Sequence, residues 1–310
     1  MNPAFSVIAL TVLSGAAQGL VVLLALSVLA HGRVDTAFTA QALGLSLALT
    51  VAALVASFFH LGRPERAWRA AAMWRTSWLS REVIVLPTFA AALAVWWWGI
   101  AAGQPAALTR VAGPLVCAVL AALLWVCTAR IYACLRFVQE WAQPLTLVNF
   151  VLTGLASGFA LGAALLAAPD ANRAVVVAPM AIVLLAAAGL SRFAAIARNR
   201  RIRHRSTLQS ATGIASPVLR QISMGMSAGS FNTREFFHRT SAAAIGRIRW
   251  LALGLGFAAP ALLGTVAVAL GEPRLWWPAV LVLSVGLVAD RWLFFAEAKH
   301  PQNLYYQVVS

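Results

Sequence analysis

Charged residues are scarce in this chain of 310 residues, where Asp, Glu, Lys and Arg together make up only 11%. Soluble domains contain about 25% charged and about 45–50% apolar residues, whereas 61% of this chain is hydrophobic. At this size no soluble fold could hide so much apolar surface, so the composition excludes a soluble globular protein. We predict an integral membrane protein, and we do not expect a chain this hydrophobic to bind nucleic acid.

The sequence also lacks the alternating segments of about ten residues that build a transmembrane β-barrel. Its apolar runs are continuous, and a helix satisfies every backbone amide inside hydrocarbon. We therefore predict an all-α bundle of eight transmembrane helices, with residues 1–310 forming one transmembrane domain. Each run can cross a hydrocarbon core of about 30 Å, and the predicted spans are 4–30, 38–60, 82–103, 111–136, 145–168, 174–197, 246–270 and 275–297.

Basic residues are missing from the start of the chain, since residues 1–30 contain no Lys or Arg. A signal peptide would have a basic n-region and a shorter apolar stretch. We expect this segment to remain as the first transmembrane helix.

Cysteine and histidine are too few and too scattered to bind a redox cofactor. Cys127 and Cys134 lie on one predicted helix with Cys117, and a rise of 1.5 Å per residue separates them by about 10 Å, beyond the limit of about 7 Å for a disulfide. The five histidines offer no pair at matching depth for a haem. We expect no haem, iron–sulfur cluster or other metal site in this chain, so a partner must carry electrons to it.

Positive charge is abundant: 24 basic residues face 9 acidic ones, for a net charge of +15. If successive loops alternate sides, 20 of the 24 lie on the side of both termini, and the positive-inside rule makes that side cytoplasmic. The long basic loop 198–245 opens with RNRRIRHR, a run typical of lipid-headgroup binding. Its segment GSFNTREFFH (229–238) favours contact with a protein partner.

Ionisable groups cluster at the predicted cytoplasmic ends of three spans, in HLGRPERAW (60–68), LSREV (79–83) and ARIYACLRFVQEW (129–141). Such groups at a membrane surface are functional candidates. A quinone needs an apolar slot, hydrogen-bond partners for its two carbonyl oxygens and a titratable group for protons. We predict quinone binding by His60, Arg63, Arg81, Glu82, Tyr132 and Arg136, the last two sharing a helical face at four-residue spacing. Helix caps and interfacial ion pairs are the alternative interpretation.

These motifs and the eight spans resemble the DMSO-reductase membrane-anchor family. The resemblance implies a quinone ligand, either ubiquinone or menaquinone, and it matches His60 and Glu82 to residues tied to quinol binding. It also implies two partners, an iron–sulfur subunit with four clusters and a molybdopterin catalytic subunit. The cytoplasmic basic side, the GSFNTREFFH segment and the tail RWLFFAEAKHPQNLYYQ (291–307) resemble the branch that oxidises sulfite.

We expect the partner to dock on the basic side in the bacterial inner membrane, through Arg66, Arg69, Arg75, Arg234 and Arg239. Other functions remain open at this point. The chain could be an anchor of the DMSO or polysulfide reductase type that oxidises quinol, or a purely structural tether. A transporter needs ionisable groups near the midplane, whereas the predicted helix centres hold few polar residues beyond Gln18, Gln41 and Asn149.

Overall fold

A computed structural model describes residues 1–31, 35–167, 171–223, 233 and 236–306, with only the backbone described at 171–175. Within these ranges the chain is helical, without a β-strand, and eight helices are long and apolar enough to cross a membrane. The described residues thus confirm the predicted all-α architecture. Several residues used in the charge count or the docking prediction lie outside the description: Arg33, Asp170, Arg234, Glu235 and most of 229–238.

The eight long helices coincide with the eight predicted spans, and their ends differ from the predicted ones by up to four residues. They are α1 (Phe5–His31), α2 (Thr36–Phe58), α3 (Trp78–Ala101), α4 (Ala107–Ala133), α5 (Pro144–Leu166), α6 (Ala171–Asn199), α7 (Ala242–Leu270) and α8 (Pro273–Ala296). Shorter helical turns lie between and after them at Pro64–Ala71, Leu208–Thr212 and Pro301–Tyr305.

Side-chain caps fix where two of these helices begin. The Asp35 carboxylate accepts a hydrogen bond from the Phe38 amide at 3.1 Å, and the Ser77 hydroxyl accepts one from the Ser80 amide at 3.3 Å. Such caps satisfy backbone donors that a helix start leaves unpaired. Because Ser77 is the cap, α3 begins four residues before its predicted start. Glu82 therefore lies inside the helix and does not cap it.

The centre of the bundle is the pair α1 and α5. Helix α1 packs against α2, α4, α5 and α8, while α5 packs against α1, α4, α6 and α8. Glycines let the two backbones touch: a Cβ at Gly19 would lie 1.9 Å from the Gly154 carbonyl oxygen, and one at Gly158 would lie 2.1 Å from the Gly19 carbonyl carbon. Close approach through small residues is the usual way for helices to associate in lipid.

The outer helices present large apolar side chains to the surroundings, among them Val55, Val119, Leu190, Leu262 and Leu281. Exposed apolar side chains in this number are unfavourable in water but suit a hydrocarbon solvent. The chain is accordingly a multi-pass membrane protein, with its helix ends available for polar chemistry.

Candidate functional site

Glu82 is a buried carboxylate inside the membrane part of the fold. It occupies the second turn of α3 and is only 8% exposed. The Thr128 hydroxyl of the neighbouring helix α4 donates a hydrogen bond to its Oε1. Burying a carboxylate is costly unless it is paired or protonated, so the fold places this group here at an energetic cost.

His60 follows the last turn of α2 and remains exposed. Surrounding protein still removes part of its hydration, which lowers the pKa of its imidazole. Among the described residues no hydrogen bond or ion pair joins His60 or the exposed Arg63 to Glu82. The three lie where α2 ends and α3 begins.

Arg81 has a structural role in the connection before α3. Its guanidinium donates to the carbonyl oxygens of Trp74 at 2.9 Å and Arg75 at 2.8 Å. It also lies over the Trp78 ring, with 4.2 Å between Cζ and the ring centroid. These contacts fix the turn that brings the chain into α3, and so they position Glu82 indirectly.

The prediction that Tyr132 and Arg136 share a helical face is wrong. Helix α4 ends at Ala133, and the chain then turns so that Val138 and Trp141 become buried beside the end of α8. Arg136 is exposed beyond the helix. The Tyr132 ring instead joins an aromatic cluster, with ring centroids 5.2–5.9 Å from those of Trp141, Phe150, Phe294 and Phe295.

The residues at these helix ends carry polar and apolar groups of the kinds that quinone binding requires. His60, Arg63 and Arg136 are exposed, and Phe59 beside His60 is 80% exposed. They offer hydrogen-bond donors and an apolar surface, and Glu82 lies buried at the start of α3. Across the described ranges, no three His, Cys, Asp or Glu side chains come together as metal ligands would.

A group of buried charges was not predicted from the sequence. The Arg192 guanidinium of α6 pairs with the Asp290 carboxylate of α8, and these residues are 3% and 1% exposed. Arg291 donates to the Thr153 hydroxyl at 2.7 Å and lies 4.0 Å from the Phe150 ring centroid. These charges lie toward the ends of α6 and α8, where the charge count from the sequence had assigned them to the loops.

A small pocket between α1, α4, α5 and α8 was also missed. It has a volume of about 10 Å³, close to the space of a single water molecule. Its polar lining includes Gln18, Trp125, Thr128, Thr153 and Arg291. Thr128 lines the pocket and also donates a hydrogen bond to Glu82, so this one residue lies between the pocket and the buried carboxylate. Polar residues at three- and four-residue spacing on α1 and α5 were the available sequence signal.

The predicted docking residues that the structure describes are exposed. Arg66, Arg69 and Arg75 lie in the connection between α2 and α3, and Arg69 and Arg75 contact neighbouring tryptophan rings at 5.5 and 5.4 Å. Arg239 is exposed and adopts a left-handed backbone conformation with φ of 53°, while Arg234 lies outside the described residues. Arg239 lines an open cavity of about 1050 Å³ together with the end of α6, the start of α7 and the end of α8.

Comparison with known proteins gives two matches. Residues 1–225 match the family model described as DMSO reductase anchor subunit (DmsC). The chain is 46% identical over 326 residues to a protein of Allochromatium vinosum described as a sulfite dehydrogenase subunit, and the alignment covers 100% of both chains. Both matches include the segments that carry His60 and Glu82.

Proposed function

Since the chain belongs to the DMSO reductase anchor subunit family, we propose that it is the quinone-reactive membrane subunit of a molybdenum and iron–sulfur oxidoreductase. Family membership confirms the resemblance that the HLGRPERAW and SRE motifs indicate, and it makes the chain a subunit of an oxidoreductase complex. The proposed partners are an iron–sulfur subunit with four clusters and a molybdopterin catalytic subunit. Electrons from the catalytic subunit would reach membrane quinone through the iron–sulfur subunit.

Sulfite oxidation is the reaction that we propose for the whole complex. Its support is the 46% identity, over the full length of both chains, to a protein described as a sulfite dehydrogenase subunit. The charge asymmetry of the sequence supports a cytoplasmic position for the basic face and both chain termini in the bacterial inner membrane. In this arrangement the soluble subunits oxidise sulfite in the cytoplasm and reduce quinone at the membrane.

Glu82 is the observation that carries the quinone assignment. A carboxylate that is 8% exposed in a membrane helix and bonded by Thr128 is energetically costly, and such groups usually mark functional sites. We assign Glu82 to proton transfer with quinone and His60 to hydrogen bonding of a quinone carbonyl oxygen. Arg63 and Arg136 would line the entrance, while Arg81 and Tyr132 position the neighbouring chain.

Docking of the iron–sulfur subunit is assigned to the connection between α2 and α3. Arg66, Arg69 and Arg75 are exposed there beside the exposed rings of Trp68 and Trp74. Arginine and aromatic residues are enriched where proteins form interfaces. Arg239 belongs to the same proposal because it is exposed in the long basic loop, and Arg234 belongs to it from its sequence position.

Two other functions would leave a different signature. An anchor of the DMSO or polysulfide reductase type would run the same site in the opposite direction, oxidising quinol. A purely structural tether would have no use for a buried carboxylate at the start of α3.

Replacement of the buried carboxylate tests the proposal. In membranes with the complete complex, Glu82→Gln should lower sulfite-dependent quinone reduction by about 10²-fold or more, because general acid–base groups contribute about 10²–10⁴-fold. Glu272→Gln, at an exposed carboxylate before α8 and away from the proposed docking surface, is the control and should leave the rate unchanged. Sulfite oxidation with a soluble dye as the electron acceptor should persist in both variants. A normal quinone rate in Glu82→Gln would contradict the assignment.

A further inference from the structure

Several buried polar atoms lack a hydrogen-bond partner among the described residues, and five of them follow a line from the turn before α5 to the centre of the bundle. They include a carboxylate oxygen of Glu140, the amide oxygens of Gln143, Asn149 and Gln18, and the indole N–H of Trp125, none of which has a hydrogen bond among the described residues. Leaving a buried polar group unpaired costs about 1–3 kcal/mol. In native proteins such groups are usually bonded to ordered water. These atoms therefore mark places that water would occupy.

The line follows one face of α5. Asn149, Thr153 and Ser157 recur at four-residue spacing, with Thr146 three residues earlier, so the four share a face of the helix. All four are buried, each 6% exposed or less. Helix α5 thus carries a continuous polar face from its first turns to its middle, inside the centre of the bundle.

The end of this line at the start of α5 meets the large cavity on the basic face. Glu140 and Asn199 line that cavity. The Glu140 carboxylate lies 3.5 Å from the imidazole Nε2 of His204. The Gln143 side chain donates to the Glu140 backbone carbonyl at 2.9 Å. Glu140 and Gln143 therefore connect the cavity to the start of α5.

The other end of the line, inside the bundle, is the small pocket beside Thr128. Gln18 offers an acceptor and Trp125 a donor to this space of about 10 Å³, which suits a single water molecule. Arg291, bonded to Thr153, lines the same pocket. Because the Thr128 hydroxyl donates to Glu82, a water in the pocket stands one hydroxyl away from the buried carboxylate.

Past the pocket the two central helices become apolar. Leu20, Val21 and Leu24 of α1 and Phe159 and Ala160 of α5 are each 2% exposed or less. None of these side chains can bond water or pass on a proton. The polar line therefore opens toward one face of the bundle only.

We propose that this line, from Glu140 through Asn149 and the interior pocket to Thr128, is a water-lined proton path that supplies Glu82 from the basic face. Each water or hydroxyl on the path accepts one proton as it gives one away, so no electron moves along it. The use of these protons rests on the proposed function, in which quinone takes up two protons with the two electrons that the partner delivers. Quinone reduction would then move no proton across the membrane.

Blocking the path in its middle is the direct test, made on the complete complex in liposomes. Asn149→Leu should slow quinone reduction at least about tenfold, while sulfite still reduces the iron–sulfur clusters at the parent rate. A small weak acid such as formate, which can carry protons past the block, should restore much of the lost rate. Thr50→Val is the matched control, because Thr50 is fully buried on α2 and bonds only its own helix at Ser46.

A second measurement does not depend on quinone turnover. Infrared spectroscopy can follow deuterium exchange at the Glu82 carboxyl, whose band the Glu82→Gln variant identifies. Exchange should slow at least about tenfold in Asn149→Leu and in Trp125→Phe, which keeps the ring and loses the N–H, and it should stay unchanged in Thr50→Val. Parent exchange rates in both path variants would overturn the proton path. Slow exchange in a complex that does not reduce quinone would support the path and refute the proposed function.

Discussion

At the scale of single residues, the buried ion pair of Arg192 and Asp290 shows how unequally charged groups contribute to the stability of this protein. These residues are 3% and 1% exposed, and Arg291 adds a second buried cation beside them. Removing one partner of a buried pair costs about 3–5 kcal/mol, because the other charge stays buried without compensation. Exposed pairs contribute only about 0–1 kcal/mol.

Asp290→Asn should therefore destabilise the protein by about 3–5 kcal/mol, since it leaves two buried arginines without their carboxylate. Unfolding of the detergent-solubilised protein, followed by denaturant titration, measures the change in free energy. Glu65→Gln serves as the comparison, because Glu65 and Arg66 form an exposed pair at 3.9 Å. Equal stability of the two variants would mean that the pair inside the bundle contributes no more than a surface pair.

At the scale of helices and turns, contact between α1 and α5 depends on glycine. Gly158→Ala would place a Cβ 2.1 Å from backbone atoms of Gly19 and Leu20, so the helices must separate. We expect a destabilisation of about 1–3 kcal/mol, the usual cost of overpacking. Gly246→Ala in α7 meets nothing within 4 Å and should be neutral or stabilising, since Ala favours helix. Thermal unfolding of both variants measures the difference; a neutral Gly158→Ala would rule out tight backbone packing there.

The short helix Pro301–Tyr305 after α8 should respond to pH. His300 caps it by accepting a hydrogen bond from the Gln302 amide at 3.3 Å. Burial, followed by the positive charge of the terminal amine, lowers the pKa of His300. As the pH falls below about 6.5, the unfolded segment takes up a proton before the folded one does. The stability of this segment is therefore complete above that pH and is lost as the pH falls.

Hydrogen exchange of residues 298–306 measures this loss of protection in acid. His300→Asn is the matched variant, because Asn is a good cap and does not titrate in this range. Its segment should stay protected at the pH where the parent segment opens. Similar opening in both would assign the effect to another group.

At the scale of the whole molecule, the distribution of charge predicts the orientation in the membrane. A single cysteine placed at Ala215, in an exposed part of the long basic loop, should resist a membrane-impermeant reagent applied to intact cells. One placed at Ala102, exposed past the end of α3 on the other side, should react. Both need Cys134→Ser, because Cys134 is exposed. Labelling of the Ala215 site from outside would reverse the proposed topology.

The sequence alone determined the class of architecture. A long span of apolar residues indicates that it lies in hydrocarbon. There it must be a helix, since a helix bonds every backbone amide within the span. It also determined the family, because the HLGRPERAW and SRE motifs are local in the chain. The same local pattern predicted Glu82 as a site residue. It did not predict that Ser77 caps α3, or that Glu82 is buried.

Only the tertiary structure decided what lies in the interior. Arg192 and Asp290 are 98 positions apart, and Thr128 and Glu82 are 46 apart, so no local pattern could pair them. The end of α4 at Ala133, which separates Tyr132 from Arg136, depends on burial of Trp141 against α8. Hydropathy reports which segments enter the membrane, whereas the partners of each polar group depend on how helices pack. The proton path proposed here therefore became visible only in the packed bundle.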